Sequence, residues 1–200
     1  KNEFLEKFSS TFRQILFLII PLSFLFFILR AQIVRIILGT GNFGWADTRL
    51  TAACLGLFSF GIFAQGLVLL VSKTFYAIQN TKIPAITSIL AVVLNIILCL
   101  VFVWLLRFPN IFQQTTVNLL KLEDLKNIEV IGLPLALSIS SIFQFFLLLF
   151  FLYKKIGDFR QKEIWQSFIK IILAGFLMAF FVYITLKIVA PFLNMQTFLG

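Results

Sequence analysis

The sequence predicts an all-α, polytopic bundle of five transmembrane helices. Of its 200 residues, 60% are hydrophobic and only 12% are charged, and the mean hydropathy is +1.03. A soluble domain has about 45–50% apolar and about 25% charged residues, and a chain this short buries too little surface to hide the excess from water. The charges also fall between long apolar runs. Three of the runs, between Arg49 and Lys73, Lys82 and Arg107, and Glu129 and Lys154, are long enough for a helix of about 20 residues to cross a hydrocarbon layer about 30 Å thick. Disorder is excluded, because it requires low hydrophobicity.

The first span is expected over residues 11–38. Arg13 marks one end, and Arg30 and Arg35 lie near the other. Only Gln14 to Leu29 is free of charge, so the helix emerges around Arg30, whose long stem can snorkel. Arg30 and Arg35 are read as interface anchors. Pro21 is placed to kink this helix, and Gly39-Thr40-Gly41-Asn42 to stop it, since glycine tolerates a left-handed cap. The second span, 50–72, lies between Arg49 and Lys73; the third, 83–106, between Lys82 and Arg107; the fourth, 130–153, between Glu129 and Lys154. The fifth, 165–190, has Lys170 and Lys187 about its apolar centre and is closed by Pro191. In the loop from Arg107 to Glu129, Val117, Leu120, Leu122, Leu125 and Ile128 recur in a roughly helical pattern. A short interfacial helix and a plain loop both fit it.

Five spans put the two chain ends on opposite sides. Ten cations fall on the N-terminal side and seven on the other, so the N-terminal side is expected to be cytoplasmic. The compact cluster Lys154 to Lys162 adds to that side and suits anionic lipid headgroups. The chain opens at Lys1 without a Met or a signal-peptide pattern and is expected to be part of a longer protein.

In lipid, helices associate through small and polar residues, because no hydrophobic drive acts between them. The third span carries Thr87, Ala91, Asn95 and Cys99 at spacing four, with Pro84 and Ser88 beside them. The fourth carries Gly132, Ala136, Ser140 and Gln144 at the same spacing. The second carries Ala52, Gly56 and Ser59, then Gln65 and Gly66. These stripes face protein or a polar cavity. Asn95, Gln144, Ser140 and Thr87 are therefore candidates either for interhelical hydrogen bonds or for lining a solute pathway. The fifth span has only Gly175, Ala179 and Tyr183 in such a line and reads as peripheral.

The chemistry that is missing narrows the function. There is no His, and all eight acidic residues lie outside the apolar centres, so no carboxylate proton relay crosses this segment. Glu123 and Asp124 are adjacent acids in a loop, a pattern typical of solvated surface. Cys54 and Cys99 sit in apolar runs as small packing residues. No metal cluster, Ser/His arrangement or phosphate-binding glycine loop occurs. An enzyme is not expected, nor is a cofactor. Nucleic acid is not an expected partner either, because the cations sit at span ends where topology accounts for them.

The connection between the second and third spans reads Lys73-Thr74-Phe75-Tyr76-Ala77-Ile78-Gln79-Asn80-Thr81-Lys82-Ile83-Pro84. Physically it is a helix end, a polar turn and a new start. Gln79-Asn80-Thr81 can satisfy freed backbone groups, and Thr81 can cap a helix whose early turn tolerates Pro84. Through Phe75, Tyr76, Ala77, Gln79, Asn80, Thr81 and Pro84 the string resembles the FYA-x-Q-(D/N)-T-x-x-P signature of the MurJ/MviN family, the bacterial lipid II flippases. Arg35 to Phe43 is similar to that family's helix end and G-x-G/A-F turn, and Gly132-Leu133-Pro134-Leu135-Ala136-Leu137-Ser138 to its G-L-A-L-A-T-S helix start.

The resemblance implies a fold of the multidrug/oligosaccharidyl-lipid/polysaccharide exporter superfamily, with fourteen spans in the whole protein. This chain then corresponds to spans nine to thirteen, part of the C-terminal lobe, with odd-numbered spans running outward from the cytoplasm. The implied function is transfer of an undecaprenyl-linked peptidoglycan precursor from the inner to the outer leaflet of the bacterial plasma membrane by alternating access. The implied partners are membrane lipid, that precursor and the remaining spans of the same protein. The family's main cavity arginines lie in earlier spans. Some members hold sodium with an Asn, an acid one turn later and a Thr on the next span; here Asn95 matches the Asn, while Cys99 and Leu137 take the other places. The fifth span would supply one wall of the family's lipid-tail groove. The rival readings are a polysaccharide-lipid or drug exporter of the same superfamily, a membrane-embedded glycosyl- or acyltransferase, and a structural anchor. The signature string argues against the first, the absence of surface acids or His in a pocket against the second, and the polar stripes against the third.

Overall fold

The computed structural model describes residues 2–40, 43–120, 127–157 and 161–189. The described residues form helices and their connections, with no strand among them. Of the sequence features above, Lys1, Gly41, Asn42, the loop residues Lys121 to Lys126, Asp158, Arg160 and Pro191 lie outside the described residues.

Among the described residues seven α-helices follow in order: α1 (Asn2–Ile28), α2 (Arg30–Leu38), α3 (Trp45–Ala77), α4 (Lys82–Arg107), α5 (Ile111–Leu120), α6 (Gly132–Ile156) and α7 (Gln161–Val189). Five of them, α1, α3, α4, α6 and α7, are long and apolar enough to cross a membrane. A single 3-10 turn over Ile128–Ile131 leads into α6.

The stretch of the first span divides between α1 and α2, which meet at Leu29. Pro21 lies inside α1, which continues past it to Ile28. Gly39 closes α2 with φ −72°, so the left-handed cap is not used there. A glycine is still required for another reason: a Cβ at this position would collide with the Arg35 carbonyl oxygen. Gly44 caps the start of α3: its N–H donates to Asp47 Oδ2 at 2.9 Å, while Thr48 Oγ1 donates back to the Gly44 carbonyl at 3.0 Å. The carboxylate also meets the positive end of the helix dipole.

In the long loop, α5 forms because Asn110 caps it, accepting the Gln113 N–H at 2.8 Å. Asn110 Nδ2 and Gln113 Nε2 donate to the Leu105 and Leu106 carbonyls at the end of α4. The Phe102 and Phe112 rings stack at 5.9 Å, so α5 is docked on α4 by both hydrogen bonds and ring contact.

The long helices pack as a row. Helix α7 packs on α1, α1 on α3, α3 on α6, and α6 on α4. Helices α3 and α4 follow each other in the chain yet barely touch, because α6 sits between them. Two apolar clusters hold the row. The larger joins Phe8, Phe12, Leu16 and Ile20 of α1 to Leu67, Val71 and Phe75 of α3 and to Phe145, Leu148 and Leu152 of α6. The smaller, at the other end of α3, joins Ala53, Leu106 and Ile131. Outside these contacts α4 is bare: Ile89, Val93, Ile96, Leu100 and Trp104 are all exposed.

Candidate functional site

The signature string folds into the tight hairpin between α3 and α4. Helix α3 ends at Ala77, and the chain reverses over Gln79 and Asn80. Gln79 is left-handed, with φ +54°, and its N–H donates to the Tyr76 carbonyl at 2.9 Å. The Asn80 N–H donates to the Phe75 carbonyl at 2.9 Å. This pair of bonds is a Schellman closure, which satisfies carbonyls that the helix end leaves open. Asn80 Oδ1 then accepts the Ile83 N–H at 3.3 Å and starts α4. The expected cap was Thr81. It makes no capping bond, because its backbone is already helical (φ −89°, ψ −18°) and Asn80 stands one residue ahead of it. Pro84 is buried in the first turn of α4, where its missing N–H leaves no internal helix bond broken.

Neighbouring signature residues have different tasks. Phe75 is fully enclosed in the larger apolar cluster, whereas Tyr76 is 53% exposed. Ala77, Gln79 and Thr81 are also exposed. The string therefore combines one anchor in the core with a surface turn.

The four polar candidates of the third and fourth spans lie along α4 and α6. Asn95 Nδ2 donates to Ser140 Oγ at 3.0 Å, and Ser140 Oγ donates in turn to the Leu137 carbonyl at 3.0 Å. Gln144 Nε2 donates to Ser88 Oγ at 3.1 Å. These two bonds cross between the helices, about two turns apart along α4 and about one turn apart along α6. Thr87 is buried but donates within its own helix, to the Pro84 carbonyl at 3.0 Å. At the far end of the seam, Gly132 lies against the α4 backbone; a Cβ there would come 3.0 Å from Phe102 Cβ and 3.1 Å from the Val103 nitrogen.

The α3–α6 contact holds two residues that the small-residue stripes did not pair. Ser138 Oγ donates to the Leu57 carbonyl of α3 at 2.8 Å. A Cβ on Gly61 would fall 2.8 Å from that oxygen and 2.9 Å from Ser138 Cα. The available signal was Gly61 itself: a mid-helix glycine is destabilising by about 1 kcal/mol relative to alanine, so it marks a close approach.

Arg30 and Arg35 sit on α2. Arg30 lies 4.9 Å from the centre of the Phe27 ring and packs over Gly56, where a Cβ would come 3.1 Å from its Cδ. Arg35 lies 6.0 Å from the Trp45 ring centre. Both are half-buried, and neither forms an ion pair among the described residues. They are not brought to the Asn95–Ser140 seam, which lies between α4 and α6.

The sodium arrangement implied by the resemblance does not fit these side chains. Asn95 Oδ1 accepts from the Cys99 thiol at 3.4 Å, and Leu137 has no side-chain oxygen. A hard cation needs oxygen ligands, and a thiol is a poor substitute. Among the described residues no group of three or more His, Cys, Asp or Glu side chains could hold a metal.

These features define a class: a multi-pass α-helical membrane protein whose spans are joined by close glycine contacts and buried hydrogen bonds. The profile of the family described as "Lipid II flippase MurJ" matches residues 1–200, the whole chain. The chain belongs to the lipid II flippase MurJ family and is a multi-pass protein of the bacterial inner membrane.

It is 29% identical over 168 residues to a probable lipid II flippase MurJ of Buchnera aphidicola subsp. Schizaphis graminum, a match covering 74% of this chain and 32% of that protein. It is also 29% identical over 170 residues to the lipid II flippase MurJ of Thermosipho africanus, covering 85% of this chain and 30% of the relative. Among solved structures, a lipid II flippase MurJ in an inward closed conformation matches with TM-score 0.70 and 27% identity, over 91% of this chain and 33% of that one. The chain thus spans about a third of the length of these relatives.

Proposed function

We propose that this chain supplies spans nine to thirteen, part of the C-terminal lobe, of a flippase that carries undecaprenyl-linked peptidoglycan precursor from the inner to the outer leaflet. The observation that carries this reading is the family match over all 200 residues. The task is transport, with no bond made or broken in the substrate. Alternating access requires lobes that move as units. The α3–α6 and α6–α4 contacts support such a unit: each combines a glycine close approach with an interhelical hydrogen bond. In this reading Asn95, Ser140, Gln144 and Ser88 lock helices together, and the cationic surface that meets a diphosphate is supplied by other spans. The N-terminal end is assigned to the cytoplasm, on the ten-to-seven excess of cations.

Two measurements test this. The full-length protein, reconstituted in liposomes with fluorescent lipid II, is expected to move it between leaflets. Transport of an unrelated drug or polysaccharide-linked lipid without lipid II would overturn the reading. For orientation, Gln79→Cys in a background with Cys54 and Cys99 replaced by Ser is expected to react with an impermeant maleimide only from the cytoplasmic side. Labelling from the periplasm would reverse the topology.

A further inference from the structure

The seam between α4 and α6 is where the resemblance implies a cation, and its side chains are already committed to one another. The Cys99 thiol donates to Asn95 Oδ1 at 3.4 Å. Asn95 Nδ2 donates to Ser140 Oγ at 3.0 Å, and Ser140 Oγ donates to the Leu137 carbonyl at 3.0 Å. The bonds run in one direction, from a thiol on α4 to a main-chain oxygen on α6. Every group in that chain has a partner, and bonds in series polarise and strengthen one another.

A cation at this place would have to take Asn95 Oδ1, the oxygen that the thiol hydrogen occupies. It would also need several more oxygens, since hard cations gather oxygen ligands. Ser140 Oγ is engaged on both sides, and Leu137 offers only its carbonyl, which accepts from Ser140. Helices α4 and α6 run unbroken through the seam, from Lys82 to Arg107 and from Gly132 to Ile156, so their carbonyls are held in the helix ladders. A countercharge is missing as well. Asn95 lies thirteen positions after Lys82 and twelve before Arg107, at the middle of the span, where an unpaired charge is most costly. Glu129, the acid nearest Ser140 along the chain, stands eleven positions before it, ahead of α6.

We propose that the α4–α6 seam is a lock that closes without an ion: the Cys99 thiol hydrogen stands at Asn95 where a cation would sit, and sodium does not act on this protein through Asn95. The thiol supplies a partial positive charge with no countercharge to find, so the two helices stay joined in any salt. The proposal rests on the family reading for where the cation is implied. Its test reads melting temperature, so a failure of lipid II transport and a failure of the lock are told apart.

The full-length protein is melted in detergent in sodium chloride and in choline chloride of equal ionic strength. An ion that binds the folded state alone stabilises it by mass action, and so raises its melting temperature. The shift between the two salts is expected to be the same in the wild type and in Asn95→Leu. A sodium-dependent rise in the wild type that Asn95→Leu removes would overturn the proposal. The converse variant, Cys99→Asp with Leu137→Thr, puts a carboxylate and a hydroxyl beside Asn95. It is expected to melt several degrees higher in sodium chloride than in choline chloride. No such gain in the folded double variant would also overturn the proposal, because Cys99 and Leu137 would then not be what keeps the ion out. If the double variant does not fold, the comparison of the wild type with Asn95→Leu decides.

Discussion

The α3–α6 and α1–α7 contacts are both made by long apolar helices, but they close to different degrees. At α3–α6, Gly61 brings one helix against the backbone of the other at Ser138, and Ser138 donates to a main-chain carbonyl across the gap. At α1–α7, Gly175 meets the Phe24 ring, and the helices part on one side into a groove. Leu, Ile and Phe abound in all four helices, so apolar content does not explain the difference. In a bilayer the lipid is as apolar as the side chains, and closure depends on small residues and hydrogen bonds. The first contact has both along its middle; the second has one glycine facing a ring that can turn, and a polar contact, the Arg13–Glu163 pair at 3.8 Å, nearer the helix ends.

The largest test of this contrast is Phe75→Ala. Phe75 is enclosed among α1, α3 and α6, so its loss is expected to destabilise by about 3–5 kcal/mol, read by thermal or denaturant unfolding in detergent. Tyr76→Ala, one residue on and 53% exposed, is expected to change stability by no more than about 0.5 kcal/mol. Equal effects would mean that the hairpin is not anchored by its buried ring.

Next in size is Gly61→Val, expected to cost about 1–3 kcal/mol because the added atoms meet backbone and Ser138. Gly175→Val is expected to cost less, since the Phe24 side chain is free to shift. A reversed order in melting temperatures would break the comparison. Gln79→Gly is expected to stabilise by about 1 kcal/mol, because the left-handed backbone at φ +54° disfavours a Cβ. A drop in melting point would show that the Gln79 side chain contributes more than its backbone strain. A similarly small effect is expected for Asn95→Leu, which removes the bond to Ser140. Interhelical bonds of this kind average about 0.6 kcal/mol, and a double-mutant cycle with Ser140→Ala would isolate it.

Much of the fold was legible from residues alone. Charged residues cannot rest in hydrocarbon, so Arg49, Lys73, Lys82 and Arg107 delimit apolar runs whose length identifies spanning helices. Helix ends were less legible. Both Asn80 and Thr81 are good capping residues, and which one caps α4 depends on where the Schellman turn leaves the chain. The pairing of Gly61 with Ser138 was also hidden, since the two lie 77 positions apart and only packing brings them together.

The sequence by itself determined the class, the number of membrane-length helices, the family signature and the absence of intramembrane acids. Those properties follow from hydration energies and local spacing, which each segment carries independently. The tertiary structure decided that α6 enters between α3 and α4, that Asn95 meets Ser140, and that α1 and α7 enclose a groove with cations at one end. Helix neighbours in a bilayer are selected by shape and by a few hydrogen bonds, and these exist only once the helices are side by side.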